Sequence, residues 1–172
     1  PIEGLISVFQ DNFFYILYHN EPDGVAEKEY DQNPRDLISK FYQSPDSRTK
    51  PPKITNSKRS AGGFLSRIGK PEGLPDWLTQ QDLDYVVSQF KLSGFRGGVN
   101  YYRNIERNWK LTEDLKDHSI KVPTLFIAGS KDMVIRGASK QELESSMKEA
   151  IPLLEEVVLL PDIGHWVQQE AA

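Results

Sequence analysis

Apolar positions along this chain follow two different periods, and the change between them divides it. After Asn33, an N-cap residue followed by proline at the first helical position, Leu37, Ile38, Phe41 and Tyr42 are spaced to face one side of a helix. Thr79 and Asp82 make a capping-box-like pair, with Asp in place of the usual Glu. Leu83, Val86, Val87 and Phe90 follow at i, i+3, i+4 and i+7, and Gly94 suits the helix stop. A further helix is expected from Val99 to Trp109, with Tyr102, Ile105 and Trp109 along one stripe. Ahead of these, Phe13 to Tyr18 is an aromatic-rich stretch ended by the turn signal Asn20-Glu21-Pro22-Asp23-Gly24. Between the helices, Ser44 to Pro75 is rich in Pro, Ser, Lys and Gly and reads as a long surface excursion.

The helical period ends near Lys110. Val122 to Ala128 is a continuous apolar run closed by Gly129, which fits a strand buried on both faces. Ser139 and Glu142 form a capping box, and Leu143, Met147, Ala150 and Ile151 line the helix behind it. Val157 to Leu160 is a second short apolar strand. Strand, helix and strand in this order make a βαβ unit with parallel strands and a right-handed crossover. The expected class is therefore α/β, with a helical part over residues 1–110 and a βαβ part over residues 111–172. Functional residues of open parallel sheets gather at the carboxyl ends of the strands. Asp132 stands just past the first strand and His165 just past the second.

Composition narrows the partners. A length of 172 residues with 38% apolar residues allows one domain of ordinary size with a lean core. The net charge is −4 and no Lys/Arg block stands out, which argues against nucleic acid. Cysteine is absent, excluding disulfide frameworks and Cys-based zinc sites. No apolar run approaches the roughly 20 residues that span a bilayer, so no membrane partner is expected. No secretory signal is visible, and a cytoplasmic location is the expectation; a start at Pro1 without Met says little about targeting.

His165 lies in Asp162-Ile163-Gly164-His165-Trp166, a loop from which an imidazole can act as a base near neutral pH. A lone loop histidine more often bonds its own backbone, and Asp132 in Ser130-Lys131-Asp132 can equally be a solvated turn residue. The pair is more telling than either member. A catalytic imidazole needs a carboxylate on its second nitrogen, and acid before histidine, each after a strand, is the chain order of α/β-hydrolases. No G-x-S-x-G or G-x-D-x-G elbow for a nucleophile occurs in the chain.

Longer segments carry a family resemblance. Phe13-Phe14-Tyr15-Ile16-Leu17-Tyr18 with Glu21-Pro22-Asp23-Gly24-Val25-Ala26-Glu27 resembles the first lid segment of soluble epoxide hydrolases. Ser93-Gly94-Phe95-Arg96-Gly97-Gly98-Val99-Asn100-Tyr101-Tyr102-Arg103-Asn104, continued by Ile105-Glu106-Arg107-Asn108-Trp109, is similar to their second lid signature and is the most specific part. Lys121-Val122-Pro123, Gly129-Ser130-Lys131-Asp132 and Gly164-His165-Trp166 are similar too. The resemblance implies the C-terminal part of an α/β-hydrolase parallel-sheet core, over 111–172, with a helical cap (lid) domain over 1–110. The N-terminal half of the core, with the nucleophile, would be absent and is the implied protein partner.

By that resemblance Tyr15 and Tyr102 are the lid acids that bind the oxygen of a small apolar epoxide. Asp132 and His165 complete the triad, with no metal or organic cofactor. Phe13, His19, Ile105 and Trp166 are candidates for the substrate pocket. Phenols suit the task because they stay protonated at neutral pH, with an ordinary pKa of about 10. Composition alone would make these tyrosines two of seven that pack lid helices. Tyr18 and Tyr101 are neighbours that the motif argues against. The chain departs from the pattern at Asp23, an extra residue before Gly24 that would shift the following helix, and at His19, where an apolar or aromatic residue is expected. His118 lies in a polar linker and reads as solvated. Two other readings stay open: a haloalkane or fluoroacetate dehalogenase, which has no use for paired phenols, and a non-catalytic protein that binds apolar ligands or a partner. A homodimer is also left open.

Overall fold

A computed structural model describes residues 1–42, 58–116, 118–135 and 137–172. The helical part comprises α1 (Ile2–Phe9), α2 (Tyr15–His19), α3 (Val25–Gln32), α4 (Pro34–Tyr42), α5 (Gln80–Ser93), α6 (Arg96–Arg103) and α7 (Ile105–Leu111). The βαβ part comprises β1 (Thr124–Gly129), α8 (Lys140–Met147) and β2 (Leu154–Leu160), followed by the short α9 (Val167–Glu170).

Local signals set most element ends. Thr79 and Asp82 form a reciprocal capping box at the start of α5, and Ser139 with Glu142 does the same for α8. Gly94 ends α5 with φ 66°, a left-handed conformation that a Cβ would strain. The turn before α3 places both Asp23 (φ 62°) and Gly24 (φ 69°) in the left-handed region. Aspartate is among the few side chains that tolerate this, and α3 starts at Val25.

The main core lies between the helices. Tyr18, Ala26, Tyr30, Leu37, Ile38, Leu83, Val87, Phe95 and Val99 are buried there, joined by Leu65 and Leu78 from the connection between α4 and α5. Leu37 and Ile38 of α4 and Leu83 and Val87 of α5 come from the predicted apolar stripes. The strands of the second part pair in parallel, from Thr124 opposite Leu154 to Gly129 opposite Leu160. Ala128, Leu143, Val157 and Ile163 are buried around them.

Three expectations need correction. Of the segment read as a surface excursion, residues 44–57 lie outside the described residues, and the remainder is partly exposed and partly packed. Leu65, Arg67 and Ile68 are buried. Glu29 of α3 accepts hydrogen bonds from the Phe64 amide (2.9 Å) and the Leu65 amide (3.2 Å), and Lys40 of α4 donates to the Leu65 carbonyl (2.8 Å). The Arg67 guanidinium donates to the carbonyls of Arg59 (3.0 Å), Gly62 (2.7 Å) and Gly63 (3.1 Å) and lies 3.9 Å from the centre of the Phe13 ring. Backbone polar groups are thus satisfied by the half-buried Glu29 and the buried Lys40 and Arg67, which is why parts of a segment poor in apolar residues can still be inside.

The helix expected from Val99 to Trp109 is two helices, α6 and α7, separated at Asn104, and Trp109 is exposed. β1 is covered on one face only: Ala128 is buried, while Leu125 and Ile127 are 54% and 47% exposed.

Candidate active site

Two loops at the carboxyl ends of β1 and β2 are bonded to each other. Past Gly129, the Ser130 amide donates to the Leu160 carbonyl (2.9 Å) and the Lys131 amide to the Ile163 carbonyl (2.9 Å). In return the Asp162 amide donates to Ser130 Oγ (2.9 Å), and Lys131 and Asp162 form an ion pair at 2.8 Å. Gly129 is required at this crossing, because a Cβ there would overlap the carbonyl oxygens of Ile163 and Gly164.

This crossing brings Asp132 to His165. Asp132 is buried; its Oδ1 accepts the Val134 amide hydrogen (2.8 Å) and its Oδ2 lies 3.0 Å from His165 Nδ1. A carboxylate only accepts, so Nδ1 carries the hydrogen and Nε2 presents its lone pair, the tautomer a general base needs. The His165 side chain is 44% exposed, against 11% for Asp132. Charge-holding aspartate inside and accessible imidazole outside is the arrangement that can take a proton from water and stabilise the resulting cation.

A second cluster forms in the helical part. Tyr15 opens α2 and Tyr102 lies near the end of α6; their rings meet edge to face, 5.4 Å between centroids and 88° between planes. Burial raises the pKa of both phenols, and the neighbouring Tyr15 raises that of Tyr102 further. Two protonated donors side by side suit an oxygen that gains negative charge. Polar ties hold the two helices. Asn20 Nδ2 donates to the Ile16 carbonyl (2.8 Å) and the Tyr102 carbonyl (3.2 Å). Arg103 makes a two-pronged ion pair with Glu27, one arm at 2.6 Å, and its Nε donates to the His19 carbonyl (3.0 Å).

The four pocket candidates fall in different places. His19 is 3% exposed beneath the tyrosines, 4.4 Å from the Tyr102 ring, with Nε2 2.8 Å from the Tyr30 hydroxyl. Burial first, and then the charge of Arg103, lower its pKa to about 4, so it is neutral at pH 7. Phe13 is half-buried against Phe64 and Tyr18, and Ile105 is half-buried at the start of α7. Trp166 joins the two parts of the chain: its Nε1 donates to the Phe41 carbonyl (3.0 Å), and its ring contacts Tyr42 and His165. Phe41 touches Phe64, which stacks on Tyr15 (6.4 Å), so ring contacts together with the Trp166–Phe41 hydrogen bond link the imidazole to the phenols.

The neighbours that the motif excluded have other surroundings. Tyr18 donates its hydroxyl to Glu29 (2.9 Å), and Tyr101 is 83% exposed. His118 is exposed. A cavity of about 260 Å³ between Phe13, Leu17, Val25, Arg59 and Gly62 touches none of Tyr15, Tyr102, Asp132 or His165. Among the described residues no cluster of three or more His, Asp or Glu side chains could hold a metal ion, and no helix is long and apolar enough to cross a membrane. Sequence reasoning missed Glu170, whose carboxylate accepts the amides of Gly164 and Trp166 (both 3.0 Å), and the Glu27–Arg103 pair. The signal for Glu170 was slight: an acid four residues after Trp166, on a helix of a single turn.

No protein-family model matches the chain. Epoxide hydrolase A of Mycobacterium tuberculosis is 37% identical over 175 residues, covering 99% of this chain and 52% of that protein. Epoxide hydrolase 1 of Siraitia grosvenorii is 38% identical, covering 100% and 52%. Among solved structures, the crystal structure of epoxide hydrolase A from Mycobacterium thermoresistibile superposes with a TM-score of 0.83 at 39% identity, over 99% of this chain and 52% of that one. The chain thus spans about half the length of the relatives it matches.

Proposed function

We propose that this chain, similar over its whole length to about half of epoxide hydrolases of the α/β-hydrolase fold, supplies the oxyanion donors and the hydrolytic base for converting an apolar epoxide and water into a vicinal diol. The nucleophile would be an aspartate of an N-terminal core half, which acts as partner. Its carboxylate attacks one ring carbon, the carbon–oxygen bond breaks, and the oxygen takes a proton from Tyr15 or Tyr102 while the other phenol holds it. The product is an alkyl-enzyme ester. His165 Nε2, oriented through Nδ1 by Asp132, then removes a proton from water, whose oxygen attacks the ester carbonyl; the ester C–O bond breaks, the expelled diol oxygen takes the proton of the new carboxylic acid, and the imidazolium proton restores the tyrosinate. Phe13, Ile105 and Trp166 are assigned to the apolar walls, and His19 to the support behind the phenols. The route needs no metal or organic cofactor. We further propose a cytoplasmic enzyme.

The observation that carries this reading is the edge-to-face pair of protonated phenols. A halide leaving group is ordinarily held by N–H donors, so a dehalogenase has no need of them. The test is single-turnover alkylation of the complete enzyme by an aryl epoxide, with Tyr15→Phe, Tyr102→Phe and the double variant, and a haloalkane run in parallel. Each single change is expected to slow alkylation on the order of 100-fold, as loss of one oxyanion donor does, and the double change nearly abolishes it. Unchanged alkylation in the folded double variant, with efficient halide release by the parent enzyme, would overturn the proposal and favour a dehalogenase.

A further inference from the structure

Glu170 is a buried carboxylate with 6% exposure that no step of the chemistry above uses. Burying an ionised group is costly unless its hydrogen bonds are replaced. Here Oε2 accepts the amide hydrogen of Gly164 and Oε1 that of Trp166, each at 3.0 Å. These are the amides on either side of His165. The carboxylate reaches back from the last residue of α9, a helix of only four residues, to the loop that precedes it.

The opposite side of the loop is fixed as well. The Ile163 carbonyl accepts from the Lys131 amide (2.9 Å), and the carbonyls of Ile163 and Gly164 lie against the bare Cα of Gly129. The loop is therefore held between β1 and Glu170. The imidazole itself projects outward with 44% of its side chain exposed, so packing restrains it weakly, whereas Asp132 is buried and bonded to Val134. The 3.0 Å bond between Asp132 and His165 then depends on where the backbone at 164–166 is held.

We propose that Glu170 is a positioning residue for His165: its two oxygens fix the backbone on both sides of the base and so set the imidazole against Asp132. This rests on the epoxide hydrolase reading, in which His165 serves ester hydrolysis and not ring opening. Glu170→Gln keeps the size but presents one acceptor and one N–H₂ donor, so one of the two loop amides faces a donor. Glu170→Asp keeps the charge but is shorter by one methylene and can reach only one amide.

The experiment is stopped-flow single turnover of the complete enzyme with an aryl epoxide, resolving alkylation from adduct hydrolysis, with His165→Gln as the control. In Glu170→Gln, alkylation is expected to stay within about twofold while hydrolysis slows on the order of 10- to 100-fold, the scale of a misplaced catalytic group. The adduct then accumulates in intact mass, and Glu170→Asp falls in between. If Glu170→Gln fails to fold, the same split between the steps is required of Glu170→Asp. Both rates unchanged, or both slowed equally as general damage would do, overturns the inference. If His165→Gln traps the adduct and the folded Glu170 variants do not, the inference alone fails. If His165→Gln traps nothing, the reading of the site falls and the inference with it.

Discussion

His19 gives the helical part a sensitivity to acid that can be worked from its surroundings. The imidazole is buried, bonded through Nε2 to the Tyr30 hydroxyl and set near the Arg103 guanidinium. Its pKa falls from 6.5 to about 4, with Glu27 opposing the shift only weakly. The folded state therefore keeps His19 neutral while the unfolded chain protonates it near 6.5. Stability from this source is complete above pH 6.5, is lost as pH falls, and is gone below about pH 4. At about 1.4 kcal/mol per pH unit, the loss amounts to about 3 kcal/mol, a large part of the 5–15 kcal/mol that holds a typical domain.

The perturbation is His19→Phe in the complete enzyme. Phenylalanine fills similar space but leaves the Tyr30 hydroxyl without its partner, at a cost of about 1–3 kcal/mol that does not vary over this pH range. The difference between the two pH profiles isolates the imidazole. Urea unfolding at pH 7, 5.5 and 4 should show the parent losing about 3 kcal/mol more than the variant between the ends. An assigned His19 resonance should titrate near pH 4. Parallel stability curves, or titration near 6.5, would refute the assignment of a buried neutral imidazole beneath the phenols.

Other variants probe the remaining contacts. His165→Gln should leave ring opening intact and block ester hydrolysis, so intact mass after mixing with substrate shows a trapped adduct; Asp132→Asn should act in the same direction, more weakly. Gly129→Ala forces a methyl into the Ile163 and Gly164 carbonyls; a stability loss of about 1–3 kcal/mol is expected, together with slowed adduct hydrolysis, and an unchanged melting temperature would show that the loops are not in contact. Glu27→Gln removes one charge of the pair with Arg103; the expected loss is on the order of 2 kcal/mol with slower alkylation, checked by urea unfolding and single turnover.

What was legible in the sequence was local. Caps at Thr79 and Ser139, the stop at Gly94 and the stripes Leu37–Ile38 and Leu83–Val87 depend on residues a few positions apart, and each formed as expected. Asp132 and His165 were placed together because the geometry of a βαβ unit brings strand ends into register. The interior of 58–68 was illegible, since its burial depends on Glu29, Lys40 and Arg67, polar residues whose partners only the folded chain names. The break at Asn104 was hidden for a different reason. Tyr102 and Ile105 are three apart, and that spacing is equally good in one helix or across a corner between two.

The same limit explains the strand. A continuous apolar run states that both faces of β1 are apolar without naming what covers them, and within this chain Leu125 and Ile127 remain on the open face. The two relatives compared above are about twice as long. An adjoining N-terminal core half of the kind proposed above would both cover the open apolar face of β1 and bring a nucleophile to the proposed base. The loops bearing Asp132 and His165 are pinned to each other by Gly129, Lys131 and Ser130. The tyrosines are tied by Asn20, Arg103 and Glu27. Each of the two clusters is therefore held by contacts inside this chain, and in the proposed enzyme an adjoining half would have only to bring the nucleophile to them.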